Sequence, residues 1–329
     1  MLHDFFNEDR KSIDLTAWDV SNVTNMDYFI NSQDIKITGW DTSKVTSMKY
    51  SFCNCGFIDG DNLILDTSNL ECMEGTFYSA NIFSNVRNLN TSKVTNMKST
   101  FRVVNFPVGY NLNNWDTSKV TTMEGMFAYS NFPLVQINFW DTRNVTTMRE
   151  MFYEATLREL PNIFTWDLSN LKDSSYMFGL CEGIDEIDLH NLDTSNIENM
   201  EGMFYVCQQR TVNLSNWRLD NCKNLHALFW YAETVYLDIS NWNLPDPDSV
   251  DTSSMFGNSK LYEIRMDNCN ANTLRKLMNQ IISDFGYRML HESKKLKIHC
   301  KESELLQAID LINDPYYSLF ASGFQFVYV

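Results

Sequence analysis

A fixed internal period constrains this chain more than any other feature. The thirteen residues WDTSKVTTMEGMF, Trp115 to Phe127, return almost unchanged as WDTRNVTTMREMF, Trp140 to Phe152. Aligned on the Trp or Leu that opens each copy, there are ten starts: Trp18, Trp40, Leu65, Leu89, Trp115, Trp140, Trp166, Leu192, Trp217 and Trp242. They are spaced by 22, 25, 24, 26, 25, 26, 26, 25 and 25 residues. A unit that short has no core of its own, so neighbouring copies must bury each other's apolar side in a solenoid. In nine copies an apolar closer follows the opener by twelve residues: Ile30, Phe52, Phe77, Phe101, Phe127, Phe152, Phe178, Phe204 and Phe229. The tenth stretches to Phe256 through PDPDS, an insertion of the kind a surface loop accommodates.

Each copy reads in two halves. Ahead of the opener, stretches such as IDLTAW, IKITGW, VQINFW, TVNLSNW and YLDISNW put apolar residues at every second position, which predicts a strand with one buried face. Behind it, Val120, Met123, Met126 and Phe127 fall at i, i+3, i+6 and i+7, which predicts the apolar stripe of a short helix. Asp116, Thr117 and Ser118 would then form the helix start. The expected fold is an α/β solenoid of about ten 25-residue repeats, a parallel sheet plus short helices, with like residues in columns. Those columns are the Trp/Leu openers, a Val/Leu/Ile line (Val23, Val45, Leu70, Val94, Val120, Val145, Leu171, Ile197), a Met line and the Phe closers. The organisation expected is a short N-terminal cap over 1–12, the repeat solenoid over 13–263 and a C-terminal β-α-β-α-β capping subdomain over 264–329. Leu2, Phe5 and Phe6 are candidates to cover the N-terminal edge; the alternative is that self-association or a partner docking there completes it.

The pattern W-D-T-S-x-V-T-x-M-x-x-M-F, over residues 13 to about 256, resembles the BspA-like family, also called the bacterial surface protein 26-residue repeat. The resemblance implies a leucine-rich-repeat-like solenoid that mediates adhesion or protein–protein contact. Its members occur in bacterial surface adhesins, anaerobic protozoa, phages and large DNA viruses.

Charge bears on the partner. The formal net charge is −16, and residues 271–329, with 7 Lys+Arg against 6 Asp+Glu, contribute +1, leaving −17 on residues 1–270. Such a body repels phosphate backbones, so no nucleic-acid partner is expected. No run of apolar residues reaches membrane-span length and MLHDFFNEDRKSIDL has no signal-peptide core, so a chain cytoplasmic as synthesised, without membrane insertion, is expected. A cell-surface location would require a leader outside this sequence; a virion is the other destination considered.

Catalytic signals are weak. Cys55, Cys181 and Cys207 share a column with Ala80, Val104, Ser130 and Ala155, and Cys222 lies in the Val column, which reads as small-residue packing with reduced thiols. His299-Cys300 is an isolated pair with no third group. The recurring Asp (Asp19, Asp41, Asp66, Asp116, Asp141, Asp167, Asp193) supplies one carboxylate per copy, too few for a calcium loop. Neither enzymatic activity, cofactor nor metal is therefore expected. Asn22, Asn90, Asn144 and Asn213 match the glycan-acceptor pattern, three of them as a by-product of the repeat.

The remaining candidates face outward on the strands. Four residues before each opener stand Asp14, Lys36, Asp61, Asn85, Asn111, Gln136, Asn162, Asp188, Asn213 and Asp238. Two residues later come Thr16, Thr38, Asn113, Asn138, Phe164, His190, Ser215 and Ser240 among others. Varied polar side chains on a regular frame suit recognition of a protein or glycan; the other reading is a solvated wall. The sequence thus points to a non-enzymatic interaction or adhesion module using the exposed sheet face. The alternative is a structural component of a virion or other large assembly, docking through its ends and acidic surface.

Overall fold

The computed structural model describes residues 12–31, 34–57, 64–81, 84–161, 163–291, 295–311 and 323–329. The N-terminal lid residues Leu2, Phe5 and Phe6, and Asp61 and Asn162 of the strand column, lie outside them. Within the described residues, successive repeats lie side by side and in parallel. One line of single β-bridges runs Asn25, Ser47, Cys72, Asn96, Thr122, Thr147, Asp173, Asn199, Asn224, Asp251, taking one residue from each repeat. At the closing residue β2 (Ile30–Asn31) pairs with β4 (Phe52–Cys53), and a second line just beyond it runs from Asn105 through β6 (Asn131–Phe132) and β7 (Thr156–Leu157) to Glu182.

The third line is the strand side, and it is not one continuous sheet. At one end β1 (Ser12–Asp14), β3 (Asp34–Lys36) and β5 (Gly56–Phe57) form a three-stranded parallel sheet. At the other, β8 (Glu186–Asp188), β9 (Thr211–Asn213), β10 (Tyr236–Asp238), β11 (Glu263–Arg265), β12 (Leu296–Cys300) and β13 (Phe324–Tyr328) form a six-stranded one. Between them the strands give way to 3-10 turns at Ser84–Asn88 and Ile163–Thr165 and to a single bridge, Asn111 to Gln136. Pro107, Pro133 and Pro161 open the strand-side segments of this middle stretch, and a proline has no N–H to give a ladder. The single ten-strand sheet expected from the alternation is corrected accordingly.

The short helix after each opener is also absent. Met123, Gly125, Phe127 and Tyr129 each donate an N–H to the next repeat, to Thr147, Arg149, Met151 and Tyr153 carbonyls at 2.7–3.1 Å. Met126 and Ala128 donate back three residues, to Met123 and Gly125. The segment is thus a run of tight turns, with φ of +59° at both Gly125 and Tyr129. A turn advances three residues between inward side chains, which mimics the i, i+3 step of a helix. A helix would instead spend its N–H groups on itself and leave none for the neighbouring repeat.

Nor is D-T-S a helix start. Asp116 Oδ1 accepts the Ser118 N–H at 3.0 Å, closing an Asx turn, and the same bond forms at Asp19, Asp41, Asp66, Asp167 and Asp193. The buried Thr hydroxyl reaches forward: Thr117 Oγ1 donates to the Asp141 carbonyl at 3.0 Å, and Thr42, Thr91, Thr142 and Thr194 repeat the contact. An Asn two residues on reaches backward, as Asn144 does to the Ser118 carbonyl at 2.7 Å. Asp, Thr and Asn at the corner therefore hold, in turn, their own repeat, the next and the previous one.

The Ser118 hydroxyl and N–H hold the Asp116 carboxyl below its usual range, as Ser169 and Ser195 do for Asp167 and Asp193. A depressed folded pKa gives stability that is present above the unfolded value near 4 and is lost as pH falls through the folded one. Changing Asp116, Asp167 and Asp193 together to Asn keeps the Oδ1 acceptor, as Asn90 does for Ser92 at 3.1 Å. We expect Tm near neutrality to stay close to that of the parent, and the fall in Tm between about pH 4 and pH 2 to shrink. Thermal melts across that range check this; an unchanged acid limb would contradict it.

Aromatic columns fill the interior. Phe52, Phe77, Phe101, Phe127, Phe152, Phe178, Phe204, Phe229 and Phe256 stack face to face from repeat to repeat, with centroids 5.2–6.3 Å apart. Trp115 stacks on Trp140 at 6.4 Å and Trp217 on Trp242 at 6.2 Å. The indole N–H groups of Trp40, Trp115, Trp140, Trp217 and Trp242 each donate to a backbone carbonyl of the preceding repeat, at 2.8–3.1 Å.

At the C-terminal end α1 (Ala271–His291) and α2 (Glu302–Leu311) pack together, and α1 buries Leu274, Leu277, Met278, Ile281, Ile282 and Phe285. Side chains of α1 take the place of a further repeat. The Phe229 N–H bonds the Met255 carbonyl of the next repeat, but the Phe256 N–H bonds Asp284 Oδ2 at 2.9 Å. Thr252 likewise donates to Gln280 Oε1 at 3.3 Å where its counterparts find a carbonyl. Burial pushes the Asp284 carboxyl up, so its neutral form suits the fold and its contribution weakens as pH rises through that pKa. Asp284→Asn keeps an acceptor for the Phe256 N–H without the charge but gives up the one that Oδ1 offers the Gln280 amide at 2.9 Å, and is expected to cost less than alanine at pH 7. Asp284→Ala strands the Phe256 N–H and should cost about 1–3 kcal/mol. Equal losses for the two in denaturant titrations would refute the capping role.

Candidate interaction site

The outward polar column divides into three groups. Asp14 of β1 and Lys36 of β3 are register partners at one end. Asp188, Asn213 and Asp238 of β8, β9 and β10 are register partners towards the other, above the buried Ile187, Val212 and Leu237. Asn111 and Gln136 pair in the middle, and Asn85 sits half-buried in a 3-10 turn rather than on a strand. Asn162 is not among the described residues.

Several of these residues have a structural task that their column did not disclose. Asp14 Oδ1 accepts both the N–H and the hydroxyl of Thr16, at 3.0 and 2.7 Å, and these bonds hold its carboxyl low. Asn111 accepts the Asn113 N–H at 2.9 Å, Asn213 the Ser215 N–H at 3.1 Å and Asp238 the Ser240 N–H at 2.9 Å. Asp or Asn recurs here because the strand must turn two residues later. Lys36 and Gln136 are where the column departs from Asp and Asn.

Towards the C-terminal end the face is densely charged. Arg265 lies between Asp238, at 3.8 Å, and Asp267, whose hydrogen bond and charge hold the guanidinium pKa up. Glu263 meets His299 Nε2 at 2.8 Å and the Lys297 ammonium at 3.7 Å. His299 and Cys300 alternate to opposite faces of β12. Cys300 is buried, and that burial pushes its thiol up to about 11, so the two do not form a nucleophile pair.

The middle of the face differs. Phe139, at the turn that ends its strand-side segment, is 80% exposed, and Phe164 in the next repeat is 43% exposed. The Phe139 N–H donates to Asn113 Oδ1 at 3.2 Å, and Thr165 Oγ1 donates to the Asn138 carbonyl at 2.8 Å, so these three repeats are directly joined. Phe139 was missed because its column, apart from the exposed Ile64, otherwise holds the small or polar residues Ala17, Gly39, Asn88, Asn114, Thr165, Asn191, Asn216 and Asn241. Its large apolar side chain against that background was the available signal.

A second aromatic line, also missed, runs along the turns: Tyr129, Tyr153, Tyr176, Tyr205 and Trp230, with centroids 5.0–6.3 Å apart. Arg102 covers the Tyr129 ring at 4.7 Å and Arg149 the Tyr176 ring at 5.4 Å. Lys49–Glu74 and Lys98–Glu124, at 3.1 and 2.9 Å, run beside the turns. Burial pushes the Tyr153 and Tyr176 hydroxyls up to about 12. These rings are occupied by one another and by the guanidinium groups.

Residues 1–109, 104–187 and 181–286 match, in three tandem segments, the family described as "Mycoplasma protein of unknown function, DUF285". The chain belongs to the DUF285 family. This is the BspA-like repeat family that the W-D-T-S pattern resembles. No curated protein and no solved structure matches the chain.

In this DUF285 chain six of the eight cysteines are buried. Cys181 Sγ donates to the Phe152 carbonyl at 2.9 Å, the bond Ser130 Oγ makes to Phe101 at 2.8 Å, so thiol and hydroxyl do the same work in that column. Burial pushes the Cys207 and Cys222 thiols up to about 12, where little thiolate exists at neutral pH. Among the described residues no three His, Cys, Asp or Glu side chains converge as a metal site would need, and no helix is long and apolar enough to cross a membrane.

Proposed function

We propose that this DUF285 chain is a solenoid of about ten 25-residue repeats serving as a non-enzymatic interaction or adhesion module, with the strand face as its contact surface. The observation that carries this reading is the register of Asp188, Asn213 and Asp238 on adjacent strands over buried Ile187, Val212 and Leu237. Outward side chains held in fixed rows by a packed interior lose little freedom on binding, which favours many modest contacts acting together. The test must spare the Asx turns. Lys36→Ala and Gln136→Ala remove outward groups, while Asn111→Asp, Asn213→Asp and Asp238→Asn change the surface but keep each Oδ1 acceptor. Combined in one chain, they should abolish partner recovery in pull-downs from the native source with the circular dichroism unchanged. Full recovery would remove the strand face as the site.

One observation favours the second reading, a structural component of a virion or other large assembly docked through its ends. Trp18 opens the first repeat, yet it is 56% exposed, and Tyr28 of the same repeat is 67% exposed. Among the described residues the Trp18 indole has no counterpart of the carbonyl that serves Trp40, Trp115, Trp140, Trp217 and Trp242. Such an end fits a second copy or a partner. Light scattering at micromolar concentration tests self-association there: Trp18→Ser should dissociate an oligomer, and a parent that is monomeric alone and with the native extract would exclude it.

A further inference from the structure

The charge pattern of the strand face singles out its middle. Asp, Glu, Lys and Arg make up 21% of the chain, yet residues 103–115, 126–140 and 160–166 contain none. The first two are the strand-side segments of consecutive repeats and the third is the later part of the next one in sequence, the same stretch in which Pro107, Pro133 and Pro161 interrupt the regular strands. Within the two outward columns the next charges are Arg87 on one side and Asp188 on the other, while Arg158 and Glu159 lie exposed just ahead of the third segment. Inside those limits Gln136 is exposed and Asn111, Asn113 and Asn138 are half-buried, and their side-chain amide nitrogens make no hydrogen bond with the described residues. Phe139, one residue before its opener, and Phe164, two residues before the next, are exposed in neighbouring repeats that the Thr165 to Asn138 bond joins.

We propose that this uncharged patch binds a neutral polysaccharide. The inference rests on the strand face being a contact surface. A sugar ring has an apolar C–H face and an edge of hydroxyls; the first stacks on an aromatic face and the second exchanges hydrogen bonds with carboxamides, which both donate and accept. A charged partner would find no charged side chain within the patch itself, only at its margins in Asp141, Arg158, Glu159 and Asp167, whereas it would be served by the Arg265 and Glu263 cluster further along. An apolar protein segment would leave the amide donors of Asn111, Asn113, Gln136 and Asn138 buried without partners. A neutral glycan satisfies both the rings and the amides, and its repeating units match a surface that repeats.

Affinity electrophoresis of the full chain through native gels containing galactomannan, mixed-linkage β-glucan or dextran, one at a time, tests the proposal, with polygalacturonate as the charged counter-probe. We expect retardation by at least one neutral polymer, unaffected by high salt and weakened about tenfold in the Phe139→Ala/Phe164→Ala chain. Both residues are exposed, so the fold should tolerate the change, and an unaltered melt confirms that it has. Gln136→Ala should weaken retardation by itself. No retardation in any neutral gel, equal retardation of the double variant, or retardation by polygalacturonate alone overturns the proposal. So does an oligomer that the double variant dissociates without any polysaccharide binding, which would assign the patch to a second copy. If no neutral gel retards the chain but the double variant loses a protein partner in pull-downs, the glycan inference fails while the strand face stands. If neither readout changes, both fail.

Discussion

Phe152→Ala is expected to lower the unfolding free energy by about 3–5 kcal/mol. Phe152 is fully buried at the centre of the ring column, stacked between Phe127 at 5.8 Å and Phe178 at 5.7 Å, with Phe132 edge-on at 5.5 Å. Truncation removes its transfer free energy, leaves a cavity and deletes three ring contacts, each worth about 0.5–1.5 kcal/mol beyond area. The loss falls on the contacts with both neighbouring repeats, so the segments on either side should separate in their unfolding. Denaturant titration followed by circular dichroism and tryptophan fluorescence should show a lower midpoint and, if the two halves uncouple, non-coincident curves. Phe152→Leu fills part of the space and should cost clearly less. A loss below about 1 kcal/mol for the alanine variant would mean that this column is not what joins the repeats.

Gly183→Ala should be comparably severe for a different reason. Gly183 has φ +90°, and a Cβ there would lie 2.1 Å from the Leu157 carbonyl oxygen. The obstacle is backbone, and it belongs to the adjoining repeat at the line where the Leu157 N–H bonds the Glu182 carbonyl at 2.8 Å. No rotamer relieves it, so the ladder must part, at a cost of roughly 3 kcal/mol or more. Gly39 and Gly109 are the controls. They have φ of +85° and +71°, but a Cβ at either would meet nothing within 4 Å, so alanine there carries the conformational penalty alone, about 1–2 kcal/mol. Equal midpoints for all three variants would show that conformation, not the close approach, sets the cost.

What could be read from the sequence divides along physical lines. The stacking of Trp115 on Trp140, and of Phe on Phe, follows from the period, because residues one period apart must meet when repeats lie side by side. The helix after each opener was misread because Met123 and Met126 are three residues apart in tandem turns as they would be in a helix. Spacing reports which residues point inward, not where the backbone N–H groups go. The polar strand column was visible, but the demand of the turn for Asp or Asn was entangled with any demand of a ligand. Glycine placement was illegible until the register was known. Tyr50 lies over Gly75 and Tyr176 over Gly202, where a Cβ would stand 2.3 and 2.4 Å from the ring. The conflict joins residues 25 and 26 apart, and only their juxtaposition explains why Tyr in one repeat is followed by Gly in the next.

The bond from the Phe256 N–H to Asp284 has an evolutionary reach. Because α1 imitates the groups that every internal repeat offers, it would close a longer stack as well as it closes this one. Duplication or loss of a single copy between Trp40 and Trp242 leaves that terminus untouched. Such an architecture can lengthen or shorten in increments of one copy without reinventing its ending, and any property that scales with reach can then be tuned by copy number.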